Sequence, residues 1–434
     1  MHGTSRSRRL ALAGLAAWAV ALGIAALGSG LGALALALGG VLCWIRAVRA
    51  ALGTSQAEEG APRVDASSLG LQGAVAADLV LANAWVATAW ARRVPELARA
   101  AGDVDAAIER WRERGWLDHP ERAHALPPPL EKPHIETRSI AGGGTAELLT
   151  FASEYECADG EIAAAYRDRA ANRDARVLLW RHRNGLPRPT LISIHGFGMG
   201  RLATDVPWLR VRGWDLVGMH RELGLDVAYV LLPFHGPRNE GASGAGFFDA
   251  HPLFPAAALA QAVWDVRRLA GWLRAQGAPA VGVHGISLGG CVAALYASLD
   301  GALASAIPMT PAVDLAEIFW RHLPESRRRE WRAVGLGPER LAEAWSLVAP
   351  LRLKPKAPAA ARLVVGCAAD QVTPPAAVRA LWSHWGEPAL HWLPGAHLVW
   401  RGRVGLASRI EDHLAATLLA EHPPTAPPLS RFRS

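Results

Sequence analysis

From residue 145 onward the chain alternates two kinds of apolar pattern. Short runs rich in Val, Ile and Leu recur as "TAELLTFASEYEC", "ARVLLWRHR", "TLISIHG", "DVAYVLLPFHG", "AVGVHGIS", "SAIPM", "ARLVVGCAA" and "ALHWLPGAH". Their length and residue types predict strands. Between several of them, apolar positions fall at helical spacing, as over residues 256–275 and 290–297. Strand and helix in alternation predict an α/β architecture, a mainly parallel sheet with helices on both faces. No self-similarity at a solenoid period interrupts this reading.

The N-terminal part follows other rules. Residues 10–45 carry no charge and are broken near the middle by "GSG" at 28–30. The run is too long for one span of roughly 20 residues, so a hairpin of two short membrane helices is expected. Arg6, Arg8 and Arg9 precede it and Arg46 and Arg49 follow it, which by the positive-inside rule puts both flanks, and all that follows, on the cytoplasmic side. A cleaved signal peptide ending near "ALALA" and a buried pair of helices are the rival readings; the length of the apolar run favours the anchor. Residues 53–68 read as a polar linker, and "AADLVLANAWVATAWARRVPELARA" as one amphipathic helix. "ALPPPLEKP" cannot continue a helix and marks a boundary, and "HPPTAPPLSRFRS" reads as a loose tail.

Composition narrows the options. With 434 residues, 51% of them hydrophobic, the chain can bury a large core. The net charge of +7 comes from dispersed Arg rather than a basic block, which argues against nucleic-acid binding. Cys43, Cys157, Cys291 and Cys367 show no CxxC spacing, which disfavours a disulfide framework or a zinc site and fits a reducing compartment.

The stretch "VHGISLGGC" carries the chemistry. Gly285, Ser287 and Gly289 form G-x-S-x-G between a strand and the helix "GGCVAALYASL". Glycines there allow a turn too tight for side chains, which lifts a serine Oγ clear of the backbone at a helix N-terminus. A serine hydroxyl needs a histidine base held by a carboxylate. "LVVGCAADQVTPP" ends a strand at Asp370 and "LHWLPGAH" ends another at His397. Asp370 has rival readings as a solvated turn residue or as the cap of the next helix, and His384, His391 and His413 compete with His397. His195 and His284 read as structural histidines beside the site, and Arg238 and Asp205 as structural or solvated charges more than substrate contacts.

The order Ser, Asp, His after successive late strands resembles the α/β-hydrolase superfamily over about residues 145–420. The resemblance implies an oxyanion hole formed by the backbone N–H groups of Leu288 and Phe197, the latter in "IHGFGMG" with His195 and Gly196. A second HG pair, His235 and Gly236, implies a supporting loop, with a contribution of Gly236 to the hole left open. The Trp-rich segment 311–350, with Trp320, Trp331 and Trp345, implies a helical cap. The expected division is a membrane segment at 1–50, a linker and helical extension at 51–134, a catalytic domain at 135–423 and a tail at 424–434. The implied activity is a serine hydrolase acting on a carboxylic ester, a small molecule or a lipid, with no cofactor or metal. Acyltransferase or peptidase action on the same residues, and a membrane-anchored binding protein without activity, are the alternatives.

Overall fold

The computed structural model describes residues 10–11, 13–14, 17, 30–57, 62–85, 94–184, 186–211 and 214–420. Among the described residues, nine strands form a single sheet in the order β1-β2-β3-β5-β4-β6-β7-β8-β9. They are β1 His134–Ile140, β2 Gly144–Ala152, β3 Asp174–Trp180, β4 Thr190–Ile194, β5 Asp226–Leu231, β6 Val281–Ile286, β7 Ser305–Met309, β8 Leu363–Cys367 and β9 Ala389–Leu393. The first three strands and the β3/β5 pair run antiparallel, and every pairing from β5 through β9 is parallel. Strands β4 to β8 are buried along their whole length, as expected of parallel strands covered on both faces.

One apolar layer covers one face through the helices Phe254–Ala275 (α7) and Leu288–Leu299 (α8). A second layer involves the helices Leu202–Val211 (α5), Leu216–Glu222 (α6) and Arg403–Ala416 (α13). After β4 the chain forms β5 on one side and β6 on the other. A crevice therefore opens at the carboxyl ends of β4 and β6, the switch point where open α/β sheets place their sites.

Three helices, Leu315–His322 (α9), Glu325–Ala333 (α10) and Pro338–Ala344 (α11), occupy the segment between β7 and β8. Aromatic contacts fasten it to the loop after β5: Phe248 stacks on Phe319 at 5.3 Å, and Phe319 meets Trp331 and Trp345 at 5.2 and 5.5 Å. Trp345 Nε1–H also donates to the Pro252 carbonyl at 2.7 Å.

The N-terminal part departs from the sequence reading in three places. Helix α1 spans Gly30–Ala57, so it runs past the charged Arg46 and Arg49 and takes up the start of the expected linker. The single helix expected over 76–100 is instead α2, Leu69–Trp85, and α3, Leu97–Glu113, with Pro95 just before α3. Proline disfavours helix in the residue before it, which fits a new start there. Strand β1, unforeseen, pairs along its length with β2 as an edge strand. Most of the first half of the expected membrane hairpin, and the tail 424–434, lie outside the described residues. No described helix is long and apolar enough to cross a membrane.

Candidate active site

Ser287 follows β6 and caps α8 with φ 56° and ψ −114°, a backbone conformation rare for any residue with a side chain. Its N–H donates to the Met309 carbonyl at 2.9 Å, and its carbonyl accepts from Ala312 and Cys291 N–H, each at 3.0 Å. Neighbouring backbone thus holds the strained turn from both sides. A Cβ on Gly285 would lie 2.0 Å from Gly289 O, and one on Gly289 would lie 2.2 Å from Ile194 O. Both positions therefore require glycine. Leu288 opens α8, where N–H groups have no partner within the helix.

The loops after β8 and β9 bring the acid and the base to this serine. His397 Nε2 lies 3.0 Å from Ser287 Oγ, and its Nδ1 lies 2.7 Å from Asp370 Oδ2. Asp370 is buried, and its Oδ1 accepts Val372 and Thr373 N–H at 2.8 Å each. These bonds hold its own loop, while the helix that follows, Pro375–His384 (α12), is preceded by Pro374 at its cap position. The rival reading of Asp370 as the cap of that helix therefore does not hold. His384 and His413 face the Leu353 and Ala361 carbonyls, and His391 lies within β9, so none of the three replaces His397.

The other residues singled out in sequence surround this set. Gly196 abuts the serine, since a Cβ there would meet Ser287 Cβ at 3.4 Å. His195 is buried, with Nδ1 bonded to Gly196 O at 2.8 Å and Nε2 accepting Leu232 N–H at 3.0 Å. Burial pushes its pKa down to about 4, so it is a neutral strut between the β4 and β5 loops. His235, bonded through Nδ1 to Pro233 O, is pushed down to about 3 by burial, with His195 nearby adding to the effect.

Gly236 donates its N–H to Ser243 Oγ at 2.9 Å, which in turn donates to Met199 O. Its N–H is thereby committed to supporting the first loop, as its backbone contact with Gly200 also indicates. Phe197 sits in that first loop and packs edge-on against His235 at 5.1 Å.

Asp205 and Arg238 are structural. Asp205 accepts Gly200 N–H at 2.6 Å and Tyr229 O–H at 2.8 Å, pinning the glycine loop. Arg238 forms a buried ion pair with Asp265 at 2.9 Å and donates to Leu231 O and Asn172 O. His284 lies between Ser193 Oγ and Met309 Sδ and stacks on Trp214.

Two uncharacterized Mycobacterium tuberculosis proteins, MT2702 and Rv2627c, are each 36% identical to this chain over 304 residues, 69% of its length and 71% of theirs. The chain belongs to the family of these two proteins. No family model matches it. Among solved structures, a Paenibacillus acetyl xylan esterase is 17% identical with a TM-score of 0.43, covering 71% of this chain and 94% of its own. Acetyl xylan esterase 1 of Thermoanaerobacterium is 16% identical with a TM-score of 0.42, covering 73% and 93%.

Two neighbours of Ser287, Asp370 and His397 escaped the sequence reading. Thr373 Oγ1 donates to Asp370 Oδ2 at 2.9 Å and lies 3.2 Å from His397 Nδ1. The D-x-x-T spacing of a local side-chain turn was its signal. Asp78 is fully buried and touches both loops; its signal was being the one charge in the apolar sequence of α2.

A cavity of about 610 Å³ is lined by Cys291, Val313, Leu315, Trp345 and Leu351 among others, and by none of Ser287, Asp370 and His397. Cys291 is one turn beyond Ser287 along α8, and burial pushes its thiol up to about 12, so it stays protonated. Three side chains of metal-binding type, His182, His220 and Asp226, converge at the opposite end of the sheet, where β5 begins.

Proposed function

We propose that this protein is a serine hydrolase acting on carboxylic esters. The observation that carries the reading is the hydrogen-bonded line from Ser287 Oγ through His397, 3.0 Å away, to Asp370 at 2.7 Å. His397 Nε2 takes the hydroxyl proton as Ser287 Oγ bonds to the ester carbonyl carbon. Asp370 holds the imidazole with its Nδ1–H turned inward and stabilises the imidazolium that forms.

The carbonyl oxygen becomes an oxyanion facing the Leu288 and Phe197 N–H groups and the N-terminus of α8. Each such donor contributes about 3 kcal/mol to the transition state. Collapse of the tetrahedral intermediate breaks the bond to the alcohol, which leaves with the proton from His397. Water, giving a proton to the same nitrogen, then attacks the acyl-enzyme and releases the acid and free Ser287.

The cavity lined by Cys291, one turn along α8 from Ser287, supports an apolar acyl or alcohol portion. The test is hydrolysis of p-nitrophenyl esters of increasing acyl length by the full chain beside Ser287→Ala. Turnover in the wild type that falls to background in the variant is expected. Equal turnover in both would overturn the assignment.

A further inference from the structure

Helix α2 sends an aspartate into the loops that carry the acid and the base. Asp78 is wholly buried, and its Oδ2 accepts His397 N–H at 2.7 Å and Gln371 N–H at 3.1 Å. Its Oδ1 accepts Leu398 N–H at 2.8 Å. One oxygen thus bonds the residue after Asp370 and the backbone of His397 at once, across 293 and 319 residues of chain. The two loops otherwise meet through the Asp370–His397 side-chain bond and through main-chain bonds such as Ala369 N–H to Gly395 O at 2.9 Å.

The surroundings make the carboxylate an unusual choice. Leu71, Ala74, Val75 and Leu79 of α2 pack in one apolar cluster with Ala369 and Ala396, the residues just before Asp370 and His397. An apolar residue at position 78 would cover such a surface without desolvating a charge. It would also leave three buried N–H groups without a partner. A carboxylate, which only accepts, satisfies all three and fixes the spacing of the loops. Outside this contact, Ser68 at the start of α2 accepts a hydrogen bond from Arg401, four residues after His397, at 2.9 Å.

We infer that Asp78 is a positioning residue for the proposed reaction, holding the Asp370 and His397 loops in register, so that the extension preceding the sheet is a working part of the active site. This rests on the serine hydrolase reading above. Asp78 touches neither Ser287 nor substrate; it acts through the main chain of His397.

The test uses the full chain as wild type, Asp78→Ala and Asp78→Asn. Ester turnover is measured alongside amide hydrogen exchange in peptides covering Gln371, His397 and Leu398. Asp78→Ala is expected to fold, to exchange faster in those peptides only, and to lose kcat on the order of 100-fold, the scale of a misplacement of about 1 Å. KM should stay within about twofold, because no substrate contact is removed. Asp78→Asn keeps one acceptor oxygen and should lose less; it carries the test alone if the alanine variant does not fold.

A folded variant with wild-type kcat, or with unchanged exchange at these amides, overturns the inference. A folded wild type that hydrolyses no ester strikes the hydrolase reading itself, and is told apart because it concerns the wild type and leaves the exchange comparison intact.

Discussion

Replacing Asp370 by asparagine separates the electrostatic role of the acid from its structural one. Asp370 Oδ1 accepts two backbone N–H groups, from Val372 and Thr373, at 2.8 Å each. An amide NH₂ cannot sit there facing two donors, so the asparagine oxygen takes that place. Its NH₂ then occupies the Oδ2 position, 2.7 Å from His397 Nδ1. Thr373 Oγ1, 2.9 Å from the same position, can turn its hydrogen to Thr310 O at 3.2 Å. His397 Nδ1 must now accept, so the ring proton moves to Nε2, 3.0 Å from Ser287 Oγ.

A histidine protonated on that side cannot take the serine proton. The expected loss in kcat is about 10⁴, the cost of the wrong tautomer in a serine triad. That corresponds to about 5.4 kcal/mol on the barrier. KM should change by less than about twofold, since no substrate contact is lost. The assay is steady-state ester hydrolysis with thermal unfolding of the same samples. A kcat loss below about tenfold in a folded variant would refute the tautomer argument. So would a loss that tracks the unfolded fraction.

Other predictions follow from the same geometry. Gly289→Ala places a Cβ 2.2 Å from Ile194 O, with backbone on both sides of the contact. It is expected to destabilise by more than about 3 kcal/mol in urea unfolding, and near-wild-type stability would contradict the elbow packing. Burial pushes His195 down to about 4 and His235 to about 3. Their folded pKa values lie below the unfolded value of about 6.5, so between those limits the unfolded chain binds more protons. Stability is therefore full above about pH 6.5 and falls as pH drops toward about 4, by about 3 kcal/mol for His195 alone. Urea unfolding at about pH 7.5, 6 and 4.5 tests this, and a flat profile would contradict it.

Strands β4 to β8 were readable because buried parallel strands are written as unbroken apolar runs, and β2, β3 and β9 because their apolar residues still cluster in short runs. β1, "HIETRSI", has only two apolar residues, Ile135 and Ile140, and is mostly exposed, so only its pairing with β2 defines it. The convergence of Ser287, Asp370 and His397 was readable from motif and chain order. Their support was not, because it depends on contacts distant in sequence. The Asp78 bond to His397 spans 319 residues, and no local pattern encodes such a distance. The break between α2 and α3 was hidden for another reason: apolar spacing persisted across 76–100, and Pro95 was the only mark against one helix.

The central claim is that Ser287 is an activated nucleophile. Its most direct test is reaction of the folded full chain with a fluorophosphonate probe, followed by mass spectrometry of the labelled peptide. One adduct is expected, on Ser287, absent in Ser287→Ala and slowed in Asp370→Asn. No adduct in folded wild type, or an adduct on another residue, would contradict it.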